Sequence, residues 1–376
     1  MLQWEVLVTD PQGTLVFGEQ GSGANLDVEW AEGATQDGVY TVDVTAEPAE
    51  PARTTLQVGV DRIERLGGSE DPVGGAVLVS EATFEPRTAA HAVIARHDVF
   101  ADALAGGPLA GAGGPLLLTA GDELDDRVAV ELDRVLADQA VVYVLGGSKA
   151  ISDELFDQLE QGDFKVVRVS GGGRVATAAA VAGLVVERSG ATTAMIARAG
   201  PDDQAPWADA LSGGAYGAYA GVPVLLSESD RLSAETAATL ETLDITDTVV
   251  LGGTAAISQT AMNALPDPVR LAGDERTGTA VAVAERLWPS AVGAGQIDAV
   301  LLGNGYGDTA WGYALASAPV SAMRQAPLLI TSPDTLSPST AAYLDDADQP
   351  IDLTVVGPES LVSPEVGSAA GKLLDQ

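Results

Sequence analysis

The sequence contains no cysteine, which excludes a disulfide framework, a thiolate nucleophile and a cysteine-ligated metal site. No apolar run approaches the length of a membrane span. Lysine is confined to Lys149, Lys165 and Lys372, and the two histidines, His91 and His97, have no repeated acidic partner at metal-ligand spacing. We therefore interpret the histidines as surface or strand-edge residues, and the sequence predicts neither a metal nor a cofactor.

The second shortage is of positive charge, because 54 acidic residues face 19 lysines and arginines and give a formal net charge of -35. No segment is basic, so nothing in the chain could neutralise the phosphates of a nucleic acid. The hydrophobic fraction of 46% is large enough for real cores, and the length predicts about two to four domains. The chain opens directly into strand-like sequence, so any secretion signal is expected outside this chain or to have been removed.

What the sequence does contain is a repeat. FADALAGGPL begins at Phe100, WADALSGGAY at Trp207 and the diverged WGYALASAPV at Trp311. A proline-led apolar run and a VLGG-like turn follow each time, and each copy begins with a motif such as RLGG at Arg65. Three diverged copies of about a hundred residues therefore run from Arg65 to the C-terminus. We predict their boundaries at 65–167, 168–269 and 270–376.

Within each copy, short apolar runs alternate with helix-like segments. Apolar runs that do not alternate with polar residues suit sheets covered on both faces. Copy one shows no recognisable first helix, but the later helix starts agree in all copies, and Pro338 and Pro364 take a first helical position. Each copy is thus predicted to be a small, parallel, doubly wound α/β unit. The predicted N-caps are Asp125, Ser233 and Ser337 for one helix and Ser152, Ser258 and Ser363 for the next.

The acidic residue inside the repeated segment has two interpretations. Asp102 and Asp209 could be catalytic carboxylates, or they could complement the helix dipole in a first helical turn. The third copy has Tyr313 at this position, which favours the structural interpretation because an essential acid would not vanish while its surrounding segment persists. Pro108 and Pro319, eight residues after the aromatic, predict that this helix is short or kinked.

The glycine pairs that end the VLGG strands could mark ligand sites, since α/β sheets commonly bind ligands at strand ends. No dinucleotide or phosphate-loop pattern surrounds Gly146-Gly147, Gly252-Gly253 or the GGGR stretch at 171–174, so tight strand-to-helix turns are favoured. No nucleophile elbow is present either. The sequence therefore predicts that the chain is not an enzyme.

These motifs resemble the cell wall binding repeat 2 family. The order R-x-x-G, R-x-x-T-A, [FW]-A-D-A-L, P-[LV]-L-L-[TS], V-L-G-G, A-I-S is complete in copy two, and the resemblance extends from Arg65 to about Gly371. Copy three keeps Arg276 but has Tyr313 for the acid and VVGP for VLGG, and copy one replaces the arginine of R-x-x-T-A with Asp71. The resemblance implies three Rossmann-like (Toprim-like) modules in a pseudo-threefold arrangement. They would anchor a secreted bacterial protein non-covalently to an anionic wall polysaccharide, at the cell surface and without catalysis.

The resemblance also implies two sets of site residues. Arginines suit anionic groups through bidentate hydrogen bonds, although structural ion pairs within a module remain the alternative. The family's anchoring motif falls on the proline-led runs, whose chemistry is that of core strands, so we interpret them as the frame of the site. The candidate ligand-binding arginines are Arg65, Arg168, Arg174, Arg270 and Arg276. The anchoring motif consists of Leu116, Leu117, Leu118, Val224, Leu225, Leu226, Leu328, Leu329 and Ile330.

The net charge conflicts with an anionic ligand, and divalent cations are possible bridges between the two. The acidic loop GDELDD at 121–126 could recruit calcium, but it lacks the ordered ligand spacing of an EF-hand and is interpreted as solvated. Two alternative functions stay open. One is a surface-layer structural protein, and the other is the anchor part of a wall hydrolase whose catalytic domain lies outside this chain.

Residues 1–60 differ from the repeats. WEVLVTDPQGTLVF predicts a hairpin around the DPQG turn, and GVYTVDVTAE alternates strictly between apolar and polar residues. This segment resembles the immunoglobulin-like domain of the flagellar hook-capping protein through Trp30 and the DG-x-Y motif at 37–40. The resemblance implies a small β-sandwich, although the Cys–Trp–Cys core of antibody domains is missing.

Overall fold

A computed structural model of the chain describes residues 3–9, 14–22, 38–47, 52–58, 63–162, 164–200, 207–288, 299–346 and 351–374. The chain divides into two compact units, Met1–Arg62 and Ile63–Gln376. Trp30 and Asp37, which carry the immunoglobulin-like resemblance, lie outside the described residues. In the part of the chain that is described, no helix is long and apolar enough to cross a membrane.

The first unit contributes one antiparallel sheet with the strand order β2-β1-β3-β4. Strand β1 (Gln3–Thr9) pairs with β2 (Leu15–Ser22) and with β3 (Gly38–Glu47), and β3 pairs with β4 (Ala52–Val58). The antiparallel β1–β2 pair agrees with the predicted hairpin. A second layer, which a sandwich requires, is not among the described residues, so the sandwich remains a prediction.

The second unit contains three four-stranded parallel sheets, one for each copy of the repeat. Each sheet has the order second-first-third-fourth, so the direction of winding reverses between its first and third strands. We call these sheets and their helices modules one, two and three. Module one contains β6 (Ala89–Arg96), β7 (Leu116–Thr119), β8 (Leu136–Leu145) and β9 (Lys165–Val169); module two contains β10 (Thr193–Arg198), β11 (Val224–Ser227), β12 (Asp247–Leu251) and β13 (Pro268–Leu271); module three contains β14 (Ala299–Asn304), β15 (Leu328–Thr331), β16 (Asp352–Val356) and β5 (Ile63–Leu66).

The fourth strand of every sheet belongs in sequence to another copy. Strand β9 opens copy two but completes module one, and β13 opens copy three but completes module two. Strand β5, at the start of copy one, pairs in parallel with β16 near the end of copy three. The segment that opens copy one therefore completes the sheet of module three. In the same way, the segments that open copies two and three complete the sheets of modules one and two.

Helices connect the strands and cover the sheets. Their bounds are α1 Pro72–Thr83, α2 Phe100–Ala103, α3 Gly106–Ala110, α4 Asp126–Val135, α5 Asp153–Leu159, α6 Arg174–Ser189, α7 Ala208–Ala220, α8 Ala234–Thr242, α9 Gln259–Met262, α10 Arg276–Leu287, α11 Ala310–Ala316, α12 Ala318–Arg324, α13 Pro338–Asp345 and α14 Pro364–Leu374. A short 3-10 turn, Gly111–Gly113, follows α3.

Helix α1 corrects the expectation that copy one has no first helix. The carboxylate of Asp71 accepts a hydrogen bond of 3.0 Å from the Gly74 amide, and Pro72 takes the first helical position. Both are ordinary helix-start devices. Gly74 and Gly75 weaken the helical pattern of the sequence, since glycine disfavours a helix interior by about 1 kcal/mol relative to alanine.

The other predicted helix starts are confirmed. Asp125, Ser233, Ser337, Ser152 and Ser258 are the N-cap residues of their helices, and the Val366 amide donates to Ser363 Oγ at 3.3 Å. The predicted break near proline is confirmed as well. The segments with Pro108 and Pro319 split into α2 and α3 and into α11 and α12, whereas copy two has Ala215 there and the uninterrupted helix α7.

The nine residues of the proline-led runs form strands β7, β11 and β15 and are each at most 1% exposed. They therefore belong to the core, as their apolar chemistry predicts. One of them also reaches the next module, because a Cβ placed on Gly312 of α11 would lie 3.0 Å from Leu118 Cδ1. Burial at this depth prevents these side chains from contacting a polymer directly.

The three repeated segments that begin at Phe100, Trp207 and Trp311 pack against one another at equivalent small residues. Gly107, Gly214 and Ala318 occupy the same position of the repeat, five residues after Asp102, Asp209 and Tyr313. A Cβ on Gly107 would lie 3.1 Å from Ala318 Cβ and 3.2 Å from the Gly214 carbonyl oxygen. Close packing of the three modules thus explains why the segment is rich in glycine and alanine.

Candidate functional site

A cleft of ≈ 240 Å³ opens at the carboxyl end of the second sheet. Its walls come from the segment after β10, the segment after β12, and residues 273–279 at the start of copy three. Strands β10 and β12 are the pair between which the winding direction reverses. In open α/β sheets this reversal point is where ligands bind, because the loops leave the sheet in opposite directions and open a crevice.

The charged lining of this cleft combines two arginines with three acidic residues, Asp209, Asp274 and Glu275. Arg198 at the end of β10, Asp209 in the first turn of α7 and Arg276 in the first turn of α10 all border it. One guanidinium N–H of Arg276 donates to the Gly305 carbonyl oxygen at 2.6 Å, and the group lies 4.7 Å above the ring of Tyr306. Among the described residues, neither arginine forms an ion pair with a carboxylate. In the described part of the chain, the cleft therefore contains two guanidinium groups without an ion pair, beside three carboxylates.

The cleft lies between two modules, and we call such a contact a junction. Junction 2/3 is defined by Asp209 of module two with Arg276 and Thr279 of module three. Junction 1/2 is defined by the equivalent residues Asp102, Arg174 and Thr177. Junction 3/1 is defined by Tyr313, Asp71 and Gly74, which occupy the same positions of the repeat.

Junction 1/2 repeats the aspartate, arginine and threonine of junction 2/3, but Arg96, the equivalent of Arg198, forms an ion pair of 2.6 Å with Asp98. The Asp102 carboxylate is hydrogen-bonded to the Thr177 hydroxyl and close to the Arg174 guanidinium; burial nevertheless raises its pKa above the usual range, against the effect of both neighbours. Arg174 donates to the Ala199 carbonyl oxygen at 3.0 Å and lies 5.9 Å above the Phe100 ring. Asp102 is thus a helix-start acid, as predicted, and it also contacts the next module.

Junction 3/1 is built from the equivalent positions of the repeat, but the side chains at these positions differ. Tyr313 is 1% exposed, and its hydroxyl donates to the Ser69 carbonyl oxygen at 2.7 Å. Asp71 forms an ion pair of 2.8 Å with Arg127, which also pairs with Asp125 at 2.7 Å. This arrangement lowers the pKa of the Asp71 carboxyl to about 2, mainly through the hydrogen bonds from Arg127.

The arginines that open each copy do not line the cleft. Arg270 donates to the carbonyl oxygens of Gly252 and Ile257 at 2.7 and 2.6 Å. Arg168 donates in the same way to Ile151 at 2.7 Å, and Arg65 donates to Gly357 at 2.7 Å and to Val362 at 2.8 Å. Each arginine therefore braces the turn after the third strand of the preceding module. Their polymer binding stays a prediction, whereas this bracing role is visible in the fold.

The backbone conformation of the turns that these arginines hold explains the glycines at the ends of the third strands. Gly146, Gly252 and Gly357 have φ angles of +102°, +89° and +96°, a region that side chains with a Cβ rarely adopt. A Cβ on Gly252 would also lie 2.4 Å from Asp209 Oδ2. Glycine is required here for the turn and for the close approach of the acid, which agrees with the tight-turn interpretation.

The acidic loop at 121–126 is used by the fold. Asp125 caps α4 by accepting a hydrogen bond of 2.9 Å from the Arg127 amide. Across the described ranges, no group of three or more histidine, aspartate or glutamate side chains is placed to hold a metal ion. His91, interpreted above as a surface or strand-edge residue, is part-buried, with its Nε2 within 3.0 Å of the Leu109 and Ala110 carbonyl oxygens.

Of the candidate arginines, Arg174 and Arg276 lie at the junctions, where Arg198 and the two threonines, which were not candidates, lie as well. The signal for the threonines was present, because copies two and three share R-x-x-T while copy one has D-x-x-G. The acid of the preceding copy changes together with this motif. Only the fold shows that the two elements come from neighbouring modules and meet.

Comparison with known proteins agrees with this three-module organisation. A family model described as Cell wall binding domain 2 (CWB2) matches residues 65–156, 168–262 and 270–367. The N-acetylmuramoyl-L-alanine amidase LytC of Bacillus subtilis (strain 168) is 30% identical over 276 residues, which are 73% of this chain and 51% of the amidase. The chain thus spans about half the length of this curated relative.

Two solved structures share the fold at lower identity. Cwp8 from Clostridium difficile has a TM-score of 0.72 and 21% identity, over 91% of this chain and 60% of Cwp8. Cwp6 from the same organism has a TM-score of 0.73 and 15% identity, over 100% of this chain and 64% of Cwp6. At these identities the two structures show a common mixed α/β fold with parallel sheets.

Proposed function

We propose a function from one premise: this chain belongs to the Cell wall binding domain 2 family, whose model matches all three modules. The chain is a cell-wall-binding module, and the family and the amidase relative indicate association with the wall outside the cell. The finer proposal is that the wall component is an anionic polysaccharide held non-covalently at the module junctions.

The observation that supports this site is the cleft at junction 2/3. Arg198 and Arg276 supply donors in the fixed fork geometry that suits carboxylate or phosphate groups. Asp209 and Thr279 add acceptors for sugar hydroxyls. A polysaccharide that carries anionic groups offers both kinds of partner, whereas an uncharged glycan would leave the arginines unmatched.

The net charge of -35 sets a condition on this binding. Repulsion between the chain and an anionic polymer extends over about 8–10 Å at ordinary ionic strength. The arginines must therefore act at short range, in salt that screens the remaining surface, or with divalent cations as bridges. Arg65, Arg168 and Arg270 would contribute indirectly, because they hold the turns that border the junctions.

The proposed fold details follow the same family. The modules are Rossmann-like (Toprim-like) units in a pseudo-threefold arrangement, supported by the 2-1-3-4 strand order and by the meeting of Gly107, Gly214 and Ala318. The copy boundaries 65–167, 168–269 and 270–376 and an immunoglobulin-like sandwich over 1–60 stay predictions.

A second candidate function extends the first. The amidase relative is about twice as long as its matched part, which supports a role for this chain as the anchor of a wall hydrolase with its catalytic domain elsewhere. The chain itself would remain non-catalytic. A surface-layer structural role is the other candidate, and full-length sequence with repeated sandwich domains would favour it.

The test is co-sedimentation of the chain with purified cell walls over a range of salt. We expect binding to persist or strengthen from low to moderate salt, because screening removes the repulsion. A basic polyanion binder shows the opposite trend, since its affinity falls steeply with salt. Loss of binding after chelation would assign the contact to bridging cations. Failure to sediment at every salt concentration would refute wall binding by this chain.

A further inference from the structure

The three junctions of this chain are not equivalent, although the repeat makes them so in sequence position. Junctions 1/2 and 2/3 each contain an aspartate, an arginine and a threonine. Junction 3/1 replaces all three at once, with Tyr313, Asp71 and Gly74. A simultaneous change at three contacting positions from two modules indicates a change of role.

We infer that this chain has two polymer-binding junctions and that the third junction is closed by Tyr313 and serves only to join module three to module one. This inference rests on the proposed function, because it names which of the equivalent sites take the anionic polymer.

The first argument is steric. Tyr313 fills the position where the other junctions carry a short carboxylate, and its ring is almost fully buried against Gly357 and Gly75. A Cβ on Gly75 would lie 2.2 Å from Tyr313 Cε1, so the ring occupies the space that alanine has in the other two copies. The hydroxyl is held by the Ser69 carbonyl oxygen. No room is left for a sugar at the position of Asp209.

The second argument is electrostatic. Junction 3/1 has Asp71 in place of Arg174 and Arg276, and the strand equivalent to β10 ends in the neutral Asn304 instead of Arg198. Two arginines of the described residues lie near this junction: Arg127, whose guanidinium is held by the carboxylates of Asp71 and Asp125, and Arg65, which donates to the carbonyl oxygens of Gly357 and Val362. Asp71 places a negative charge where the other two junctions carry an arginine, which disfavours an anionic ligand at junction 3/1.

The third argument is that a closed junction has a structural purpose. In modules one and two the chain runs from the third strand through a helix to the fourth strand, but in module three the fourth strand, β5, is held beside β16 only by contacts. Strand β5 pairs with β16, and Arg65 donates to two carbonyl oxygens of module three. Tyr313 adds a buried aromatic contact and a hydrogen bond to the same joint.

The experiment measures wall co-sedimentation and thermal unfolding of the full chain for matched variants. We expect Arg276→Ala and Arg174→Ala each to weaken wall binding about tenfold, since each removes a charged hydrogen-bond donor to the anionic group. Tyr313→Phe and Asp71→Asn should change binding less than about twofold while lowering the unfolding temperature. Tyr313→Phe keeps the ring, so it removes only the hydroxyl contact.

Two outcomes would overturn the inference. One is a loss of wall binding in Tyr313→Phe or Asp71→Asn as large as in Arg276→Ala, at unchanged unfolding temperature. The other is full binding by the Arg174→Ala, Arg276→Ala double variant.

A second measurement separates this inference from the proposed function. Gly68, Gly171 and Gly273 are equivalent residues of the three copies, and their amide signals can be followed in an NMR titration with inorganic phosphate. We expect the signals of Gly171 and Gly273 to shift and that of Gly68 to stay. A shift of Gly68 comparable to Gly273, or a shift of none, would refute the two-site assignment. Failure of the chain to bind walls would instead refute the function and leave this titration as the test of the sites.

Discussion

Gly75→Ala gives the sharpest test of the packing at junction 3/1. The new Cβ would lie 2.2 Å from Cε1 and 2.6 Å from Cδ1 of Tyr313, whereas carbon atoms pack at about 3.5–4.0 Å. The ring must therefore move by roughly 1 Å or more. Tyr313 is 1% exposed, so such a movement disturbs neighbouring core residues as well. It also pulls the hydroxyl away from the Ser69 carbonyl oxygen.

The magnitude follows from three contributions. Overpacking in a core destabilises by about 1–3 kcal/mol, and loss of the Tyr313 hydrogen bond by about 0.5–1.5 kcal/mol. Alanine inside helix α1 recovers up to about 1 kcal/mol of helix propensity. The expected net change is a loss of about 0.5–3.5 kcal/mol in the free energy of unfolding.

A matched control is available in helix α6. Gly183 is also a helical glycine, but a Cβ there would meet nothing within 4 Å. Gly183→Ala should therefore stabilise the chain by about 0.5–1 kcal/mol through helix propensity alone. Both variants are compared by denaturant unfolding monitored by circular dichroism. If Gly75→Ala is as stable as Gly183→Ala, the close contact with Tyr313 is wrong and so is the closed junction.

Three further predictions concern charged residues. Arg270→Ala should lower the free energy of unfolding by about 2–3 kcal/mol, because it leaves two carbonyl oxygens without their donor; Arg231→Ala, which removes only an exposed ion pair, should change it by less than about 0.5 kcal/mol. Asp71 has a folded pKa of about 2 against 3.8, so its carboxylate stabilises the fold above pH 3.8, and this contribution is lost as the pH falls towards 2. The free energy of unfolding of Asp71→Asn should therefore fall less between pH 3.8 and pH 2 than that of the unchanged chain, as measured by denaturant titrations. Burial raises the pKa of Asp102, so its charged form is disfavoured by folding, and Asp102→Asn should be neutral or stabilising at pH 7 when measured in the same way; a large loss would show that the charge itself holds Thr177.

The sequence predicted the local structure of the modules well because local signals specify it. The N-caps at Ser152, Ser258 and Ser363 and the helix breaks before Pro108 and Pro319 each depend on residues within one turn. Helix α1 was missed for a reason that is not local. Gly75 lowers helix propensity, and it is present because the ring of Tyr313, far away in sequence, needs the space.

The candidate site could be predicted only in part. The acid and the R-x-x-T-A motif are visible as separate signals, but their meeting depends on how neighbouring modules pack. The motif that opens each copy misled in another way, since Arg168 and Arg270 look like the start of a module and in fact complete the preceding one. Bonds from a guanidinium to backbone carbonyl oxygens leave no pattern in the acceptor sequence, so this role cannot be recognised before the fold is known.

The exchange of the fourth strand explains why the copies have diverged unequally. Each sheet is complete only when the next copy supplies its last strand, so a copy cannot bury the open edge of its sheet alone. In a chain of such units the last sheet would remain open, and here β5 returns from the beginning to close it. The pairing of β5 with β16 has no short chain connection, so contacts around it must provide the stability that the sheets of modules one and two receive from the chain itself. Tyr313, Gly75 and the Asp71–Arg127 pair lie next to this strand, at positions where the other two junctions carry an aspartate, an alanine and an arginine. The asymmetry of the repeat is thus a consequence of closing three units into one body.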